Sequence, residues 1–493
     1  MNRSFYTLGA PSGYSVGRFA APTLNEGGSR IRSIISAVSQ RRIAVVGAGI
    51  SGLTFAYRLR EEARTRGHAV ELSVLESAPE VGGHVRTIRE DGFVVEGGPN
   101  GFLDREPAVT SLIRALGLEG RLVDAAPESA RRYILRRGAL HRVPDSAGAL
   151  LGFGAMTLGG RLRLALEPFA PGPPAGVEET VFDFARRRIG REGADVLVDT
   201  AVSGISAGDS RRLSAPAQFP LMIEMERSHG SLLRAMIARR RKGIGASKLK
   251  SFDGGIRILT DRLAGELGHA VRTRAAVAAV SRDGAHWRVA LESGDTISAD
   301  RVVMAVPASV AARALLGLDP ELSHALTQIE SAPVAVSAFA FRKRDIRRPL
   351  DGYGYLVTRD EGLATLGVLW ESSLFPHRAP EGMVLLRVML GGARCPRVAS
   401  LDPGAVAELA LGEMRSVMGI VGDPTRSWRF AGRGAIAQYT LGHLDRIVTI
   451  RRLAARYPGL AVCGTSYDGV SFGAAIASAS ALAEALAARR AAA

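Results

Sequence analysis

Three glycines near the start of the chain have the spacing of a dinucleotide-binding turn. Gly47, Gly49 and Gly52 form a G-x-G-x-x-G pattern between an apolar run ending at Val46 and a helical pattern carrying Leu53. The first glycine permits a tight turn, the second lets the backbone approach a pyrophosphate, and the third lets helix and strand pack closely. The start of the helix adds unpaired N–H groups and the positive end of its dipole. We therefore predict a pyrophosphate site here.

An acidic residue follows at the position that a ribose requires. Glu76 lies 24 residues after Gly52, at the end of a second apolar run from Val70 to Leu75. A carboxylate at the end of that strand can accept hydrogen bonds from both ribose hydroxyls. Strand, turn, helix, strand and acid together predict a βαβ unit that binds a dinucleotide. The fingerprint by itself does not choose between NAD and FAD.

A glycine pair just beyond the acid bears on that choice. Gly82 and Gly83 precede Glu96-Gly97-Gly98-Pro99, and this arrangement resembles the extended signature of the amine-oxidase-like flavoproteins. The resemblance implies FAD. It also implies non-covalent binding, because no cysteine precedes the last flavin loop as covalent amine oxidases require, and Cys463 belongs to the final predicted strand. Without the resemblance, the glycine pair is merely a flexible turn.

Later motifs resemble the bacterial, oxygen-dependent protoporphyrinogen oxidases. The matching segments are Gly98 to Pro107, Arg132-Tyr133, Phe252 to Gly255, Ser372 to Pro380, Gly391-Gly392, Gln438 to His443, and Cys463 to Val470. The resemblance runs from Arg41 to the end of the chain. It implies oxidation of a porphyrinogen in three two-electron steps, with hydride passing to the flavin and dioxygen reoxidising it to give hydrogen peroxide. No catalytic side chain is implied, and no acid–base triad is visible.

The same resemblance implies a set of site residues. Leu356 and Phe375 are expected to sandwich the macrocycle, with Phe375 lining an open cavity; the alternative for both is ordinary core packing. Asn100 and Arg105 are expected to face the substrate propionates or the flavin, although an exposed, solvated arginine is an equal alternative. The expected cofactor-binding residues are Gly47, Ala48, Gly49, Ile50, Ser51, Gly52, Glu76, Ser77, Gly83, Gly98, Pro99, Asn100, Val277, Gly464, Val470, Ser471 and Phe472.

Two departures from the family pattern place the substrate in more doubt than the cofactor. Gly432 stands where the family commonly has tryptophan, and Ser471-Phe472 stand where it has glycine and a small aliphatic residue. A lost tryptophan and a bulkier loop would reshape the flavin pocket.

The order of the predicted elements indicates the fold class. We expect α/β plus α+β: an FAD-binding Rossmann-type domain, an inserted helical domain and an antiparallel-sheet substrate domain. Residues 1–40 read as a disordered leader. The FAD-binding domain takes residues 41–106, 251–330 and 431–493, since the final strand, turn and helix mirror the first. Residues 107–250 are expected to be helical, and residues 331–430 to bind substrate.

Composition and charge limit the kinds of partner that the protein is expected to bind. The chain has 493 residues, a formal net charge of +16 and two cysteines, Cys395 and Cys463. Two cysteines cannot form a disulfide framework or a cysteine-rich metal site, and we predict no metal. No nucleic-acid-binding motif is found, so we predict no nucleic-acid partner. The charge instead suits an anionic membrane surface or a carboxylate-bearing substrate.

One basic segment suggests contact with a membrane surface. Arg239 to Lys242 carries four consecutive basic residues, and apolar residues are frequent upstream, between Leu221 and Ile237, whereas no apolar run is long enough to span a bilayer. The alternative is a solvated basic face. We predict a cytoplasmic protein on the inner face of the membrane or free of it, and leave a homodimer open.

The leading hypothesis is therefore an FAD-dependent oxidase of protoporphyrinogen IX in haem biosynthesis. The alternatives are a coproporphyrinogen III oxidase, another amine-oxidase-like flavoenzyme, and a repurposed FAD-binding protein with little turnover.

Overall fold

The computed structural model describes residues 41–104, 106–174, 176–242 and 247–488, with no side chain described at 147 or 431–435. The predicted leader, Arg105 and the final five residues of the predicted FAD-binding domain lie outside these ranges.

The strands of the described chain are numbered in chain order. They are β1 Arg41–Val46, β2 Val70–Leu75, β3 Thr87–Glu90, β4 Phe93–Glu96, β5 Phe102–Leu103, β6 Leu122–Asp124, β7 Tyr133–Arg136, β8 Ala139–Arg142, β9 Leu249–Phe252, β10 Val271–Arg272, β11 Val277–Asp283, β12 His286–Leu291, β13 Thr296–Ala299, β14 Arg301–Met304, β15 Ser331–Arg342, β16 Gly354–Val357, β17 Thr365–Trp370, β18 Met383–Gly391, β19 Arg426–Ala437 and β20 Leu460–Val462.

The α-helices are numbered in the same way. They are α1 Ile50–Thr65, α2 Pro107–Ala115, α3 Ala147–Leu151, α4 Leu158–Ala165, α5 Val181–Gly193, α6 Thr200–Ser206, α7 Ala215–Gln218, α8 Pro220–His229, α9 Leu232–Arg241, α10 Arg257–Leu267, α11 Ala308–Leu315, α12 Pro320–Thr327, α13 Glu371–Leu374, α14 Pro403–Met418, α15 His443–Ala454 and α16 Phe472–Ala488. A π-helical stretch, Ala194–Asp199, joins α5 to α6.

A five-stranded parallel sheet carries the dinucleotide fingerprint. Its order is β10-β2-β1-β14-β20, and β1 pairs in parallel with both β2 and β14. Residues 43–46 of β1 are all buried, as expected of a central strand covered on both faces. Helices α1 and α16 share one hydrophobic core on this sheet. Near the end of the chain, β20 completes this sheet beside β14.

A seven-stranded sheet forms the second layer of the molecule. Its order is β19-β15-β18-β17-β16-β7-β8, and every pair is antiparallel except β16 with β7. Three of its strands differ from the expected segments: β7 and β8 form a hairpin within residues 107–250, which were expected to be helical, and β19 crosses the expected boundary at 430/431. In the sequence the hairpin is only two four-residue runs joined by Arg137-Gly138, and only its pairing with β16 reveals the sheet.

Helices α3 to α9 lie between β8 and β9 in the chain, and α6 contacts β16 and β17 of that sheet. Several residues in this segment pack in small hydrophobic clusters, including Phe184 and Leu213. Among the helices that the structure describes, none combines the length and apolar composition needed to cross a membrane. The predicted fold class is confirmed: a Rossmann-type parallel sheet, an antiparallel sheet and a helical insertion.

Candidate functional site

The glycine turn after β1 is formed as the fingerprint requires. Gly47 has φ +103°, and a Cβ on it would lie 2.7 Å from the carbonyl oxygen of Ala305. A Cβ on Gly52 would lie 1.9 Å from the carbonyl oxygen of Gly47. The fold itself therefore excludes a side chain at both positions. The cause at Gly47 is the tight turn, and the cause at Gly52 is the close packing of helix and strand.

Gly49 differs from its two neighbours because its Cβ direction is open. The nearest atom to a Cβ built there is the Cα of Gly83, at 4.0 Å. Gly83 has φ +59°, and Gly82 forms a parallel bridge with Gly49. The two glycine turns thus leave a side-chain-free space at the start of the 16-residue helix α1. A pyrophosphate fits this space, where the first helical N–H groups have no partner within the helix.

Glu76 closes the nucleotide end of the site. Its carboxylate is buried and accepts hydrogen bonds from the backbone N–H of Ala48 at 2.9 Å, the N–H of Ala78 at 2.9 Å and the hydroxyl of Ser77 at 3.3 Å. The backbone N–H of Ala275 donates to the Glu76 carbonyl at 2.8 Å, which brings the start of β11 and Val277 alongside. The structure thus brings Glu76, Ser77 and Val277 to one edge.

The last loop of the chain meets the first glycine turn. A Cβ on Gly464 would lie 3.4 Å from the Ser51 hydroxyl oxygen. The hydroxyl of Tyr439 joins both ends of this loop: it donates to the Thr465 carbonyl and accepts from the Gly469 N–H, each at 2.7 Å. Val470 follows directly. The loop is therefore held from outside itself, by a tyrosine two residues after the end of β19.

Ser471 and Phe472 begin helix α16. The Ser471 hydroxyl accepts a hydrogen bond from the Ala474 N–H at 3.0 Å, which caps the helix. The Phe472 ring stacks on Phe102 with centroids 6.0 Å apart and belongs to the core of the parallel sheet. This departure from the family pattern is therefore accommodated by core packing.

The segment from Gly97 to Asn100 is packed against its neighbours without spare room. A Cβ on Gly98 would lie 1.8 Å from the carbonyl oxygen of His84, and a Cβ on Gly97 would lie 2.2 Å from the Phe430 ring. Burial lowers the pKa of His84. The amide nitrogen of Asn100 is buried and has no partner within the described residues. A buried donor without a partner is unusual, so this N–H group is available to donate a hydrogen bond to a bound group.

The two residues expected to enclose the substrate lie in different environments. Leu356 is half-buried on β16, and its Cδ2 occupies the positions where a Cβ on Gly204 or Gly367 would point, at 2.5 and 2.7 Å. Phe375 is fully buried and packs with Leu369 and Leu374. The Phe375 ring is also covered by the Arg378 guanidinium, 4.3 Å from its centroid. The expectation that Phe375 lines an open cavity is therefore wrong; its ring packs in the core.

One group of buried charges was not predicted from the sequence. Glu96, Glu371, Arg378 and Arg387 are at most 3% exposed and form ion pairs with one another beneath the segment from Gly97 to Asn100. Charged residues are exposed by default, so single charges spread over almost three hundred residues give no signal of burial. The only available hint was the match to the family around Arg378.

Neither cysteine is placed for reaction with a flavin or a metal. Cys463 directly follows β20, and burial raises the pKa of its thiol to about 12. Cys395 is half-buried and also free. Within the described ranges, no group of three or more histidine, cysteine, aspartate or glutamate residues is arranged to hold a metal ion.

Comparison with known proteins decides the family. The model of the flavin containing amine oxidoreductases matches residues 50–487. The chain belongs to this family. It is a flavin-dependent oxidoreductase, and the dinucleotide fingerprint identifies its flavin as FAD, which confirms the predicted cofactor.

Individual relatives narrow the resemblance. The coproporphyrinogen III oxidase of Bacillus subtilis (strain 168) is 30% identical over 450 residues, covering 87% of this chain and 94% of that protein. Protoporphyrinogen oxidase 1, chloroplastic, of Arabidopsis thaliana is 31% identical over 460 residues, covering 87% and 84%. A solved structure from Exiguobacterium sp. 255-15, provisionally named a protoporphyrinogen oxidase, aligns with a TM-score of 0.79 at 26% identity over 92% of this chain and 99% of that one.

Proposed function

We propose that this oxidoreductase dehydrogenates a porphyrinogen to the porphyrin, with protoporphyrinogen IX as the leading substrate in haem biosynthesis. The observation that carries the proposal is the similarity to two porphyrinogen oxidases over 87% of the chain. The macrocycle loses six electrons and six protons in three steps. Bound FAD would accept the hydride, and three molecules of dioxygen would be reduced to three molecules of hydrogen peroxide.

The chain's own residues bind and orient the reactants. Gly49 and Gly83 leave the space that suits the pyrophosphate, and Glu76 lies where the ribose would bind. Asn100 offers its unpartnered N–H group to a carbonyl or carboxylate oxygen. Leu356 presents a half-buried aliphatic side chain on the antiparallel sheet, a surface that suits a flat apolar ring. Hydride transfer to a flavin needs positioning and exclusion of water more than an acid–base group.

Coproporphyrinogen III is the second candidate substrate. Two observations favour it: the relative from Bacillus subtilis acts on it by name, and the chain carries a net charge of +16. Four propionates would use a basic surface better than two.

A direct comparison of the two substrates tests the proposal. The purified protein is mixed anaerobically with each reduced macrocycle in turn, and loss of the flavin absorbance is followed by stopped flow. We expect rapid bleaching with at least one porphyrinogen, and the faster one identifies the substrate. Absence of bleaching with both, in a protein that holds FAD and is bleached by dithionite, would overturn the proposal.

We further propose that the helical segment contacts an anionic membrane surface, on the cytoplasmic side. Large apolar side chains are exposed between Leu151 and Val177, including Leu158, Leu162 and Phe169 at 70%, 62% and 78%. Such an apolar group on a soluble surface is unusual. Among the upstream residues first expected to make this contact, Met222, Ile223 and Leu232 pack against a hydrophobic core, whereas Leu233 and Ile237 are exposed.

The basic residues lie on the helix whose first turn contacts this apolar segment. Glu167, which immediately precedes Pro168-Phe169, accepts hydrogen bonds from the N–H groups of Leu232 and Leu233 at 2.9 and 3.2 Å, so the first turn of α9 is joined to it. The last turn of α9 carries Arg239, Arg240 and Arg241. Apolar side chains next to a cationic helix end match the interfacial region of an anionic bilayer.

Vesicle binding separates the two contributions. Neutralising Arg239 to Lys242 should weaken binding to anionic vesicles roughly a thousandfold at low salt, at about 1 kcal/mol per charge. Phe169→Glu should weaken binding to anionic and neutral vesicles alike. Unchanged sedimentation of both variants with anionic vesicles would mean that this surface is merely solvated.

A further inference from the structure

Four buried charges lie where the β3–β4 hairpin meets the seven-stranded sheet. Glu96 ends β4, Glu371 begins α13, Arg378 follows that helix and Arg387 lies in β18. Two carboxylates and two guanidiniums make the group neutral as a whole. This balance matters because a single buried charge without a partner would cost several kcal/mol.

The ion pairs join the group into a chain. The Arg378 guanidinium contacts the Glu371 carboxylate through Nη1 and lies 3.5 Å from Glu96 Oε1 through Nη2. Arg387 Nε lies 2.8 Å from Glu371 Oε1. Glu96 in turn accepts hydrogen bonds from the Thr87 hydroxyl at 2.7 Å and the Ile256 N–H at 2.8 Å. Glu371 is therefore the member that contacts both arginines.

The remaining guanidinium N–H groups are directed at the backbone of one loop. Arg387 Nη1 donates to the carbonyls of Glu96 and Gly98, at 3.2 and 2.6 Å. Arg378 Nη2 donates to the carbonyl of Asn100 at 2.7 Å and to the Ser251 hydroxyl at 2.9 Å. Two side chains thus hold three alternate carbonyls, those of residues 96, 98 and 100. The Asn100 side-chain N–H group, which has no partner among the described residues, belongs to the same short segment.

We propose that Arg378 and Arg387, held by Glu371, are positioning residues that fix the backbone from Glu96 to Asn100 and thereby place Asn100 against the bound flavin or the porphyrinogen. The inference rests on the proposed function, since it assigns this loop to that site. The planar guanidinium is needed because it can bind a carboxylate and a carbonyl at the same time with donors in a fixed geometry. Lysine offers no such fork.

The test uses Arg387→Lys in the FAD-bound enzyme. This variant keeps the charge opposite Glu371 but lacks the second arm that reaches Gly98. We expect flavin to bind, its visible spectrum to change, and kcat to fall roughly 10-fold to 100-fold, as for a misplaced reacting pair. Glu371→Gln should change the spectrum too. It should also raise the flavin reduction potential, because it leaves an additional positive charge that favours the reduced flavin.

Arg188→Lys is the matched control. Arg188 is equally buried and is paired with Glu167 and Glu226, but the hydrogen bonds and ion pairs described for its guanidinium group all lie between residues 167 and 230. It should lower the melting temperature and leave the flavin spectrum, the potential and kcat unchanged. If Arg387→Lys behaves in the same way as Arg188→Lys, the buried charges are only structural and the proposal falls.

Two further outcomes keep the test decisive. If Arg387→Lys does not fold, the charge-balanced double variant Glu371→Gln/Arg387→Met carries the same expectation without leaving a charge unpaired. The spectrum and the potential are measured without any porphyrinogen. If the wild-type enzyme oxidises neither macrocycle, yet Arg387→Lys alters both flavin properties, the positioning role stands and only the proposed substrate falls.

Discussion

The two ends of the site are held by opposite means. At the two glycine turns, which we propose to be the nucleotide end, Gly47, Gly49 and Gly83 leave a space without side chains. At the sheet end, the loop up to Asn100 is held by large buried side chains, above all Arg378 and Arg387. A site formed by the backbone can therefore be recognised in the sequence from the spacing of a few residues. A site formed by side chains that are distant in the chain cannot.

Gly49→Leu should have the largest effect and should act on binding alone. Gly49 has φ −74°, and its Cβ direction is open, so the free protein accommodates the side chain with little loss of stability. The leucine would fill the space that we assign to the pyrophosphate, and FAD should be lost entirely. Flavin absorbance of the purified protein measures this. Gly120→Leu is the control, because its Cβ direction is also open but lies far along the chain from the turn. A yellow Gly49→Leu protein would contradict the assignment.

Phe375→Ala should have the opposite effect: it should lower the stability of the protein more than it weakens binding. Emptying a fully buried aromatic site costs about 3–5 kcal/mol of unfolding free energy. Urea unfolding measures the loss. Phe169→Ala, at 78% exposure, should change stability by no more than about 0.5 kcal/mol. If Phe375→Ala is as stable as wild type but has a raised KM for porphyrinogen, the ring contacts substrate after all.

The pH dependence of stability at His443 tests the side-chain packing at the nucleotide end. Burial, together with Arg446, lowers the pKa of His443 to about 4, and neither ring nitrogen has a partner among the described residues. An unfolded histidine titrates near 6.5, so the unfolded state binds the proton more strongly. This contribution to stability is full above about pH 6.5 and is lost as the pH falls towards 4. The loss should reach about 2 kcal/mol at pH 5.

His443→Phe isolates that effect. The variant retains a ring to stack on Tyr439, whose ring centroid lies 3.8 Å away, but cannot be protonated. The difference in unfolding free energy between the wild-type and variant proteins should therefore depend on pH between 4 and 6.5 and be flat above that range. A constant difference over the whole range would mean that His443 does not titrate as described.

Tyr439→Phe should have the smallest effect of the four. It removes the hydroxyl that joins Thr465 to Gly469 and keeps the buried ring. Losing these hydrogen bonds should cost about 1 kcal/mol, which corresponds to roughly fivefold weaker FAD binding. Titration of the apoprotein with FAD measures the change. An unaltered affinity would show that the last loop keeps its shape without the hydroxyl.

Much of the nucleotide end was predictable from the sequence. The turn at Gly47 to Gly52, the acid Glu76 and the return of the chain to the first sheet all follow from local patterns, because glycine spacing, strand ends and apolar runs are properties of neighbouring residues. The β7–β8 hairpin was not predicted, since four-residue strands carry little periodicity and their partner β16 lies more than two hundred residues later.

The sequence by itself therefore determined the family and the cofactor, and it located the glycine turn that we propose to bind the cofactor. Only the tertiary structure decided that Phe375 is enclosed, that Phe472 packs on Phe102, and that Glu96, Glu371, Arg378 and Arg387 share one buried neutral group. The physical reason is that burial and ion pairing are set by which distant segments meet. Four charges with no local pattern become a positioning device only when two sheets bring them within a few ångströms of one another.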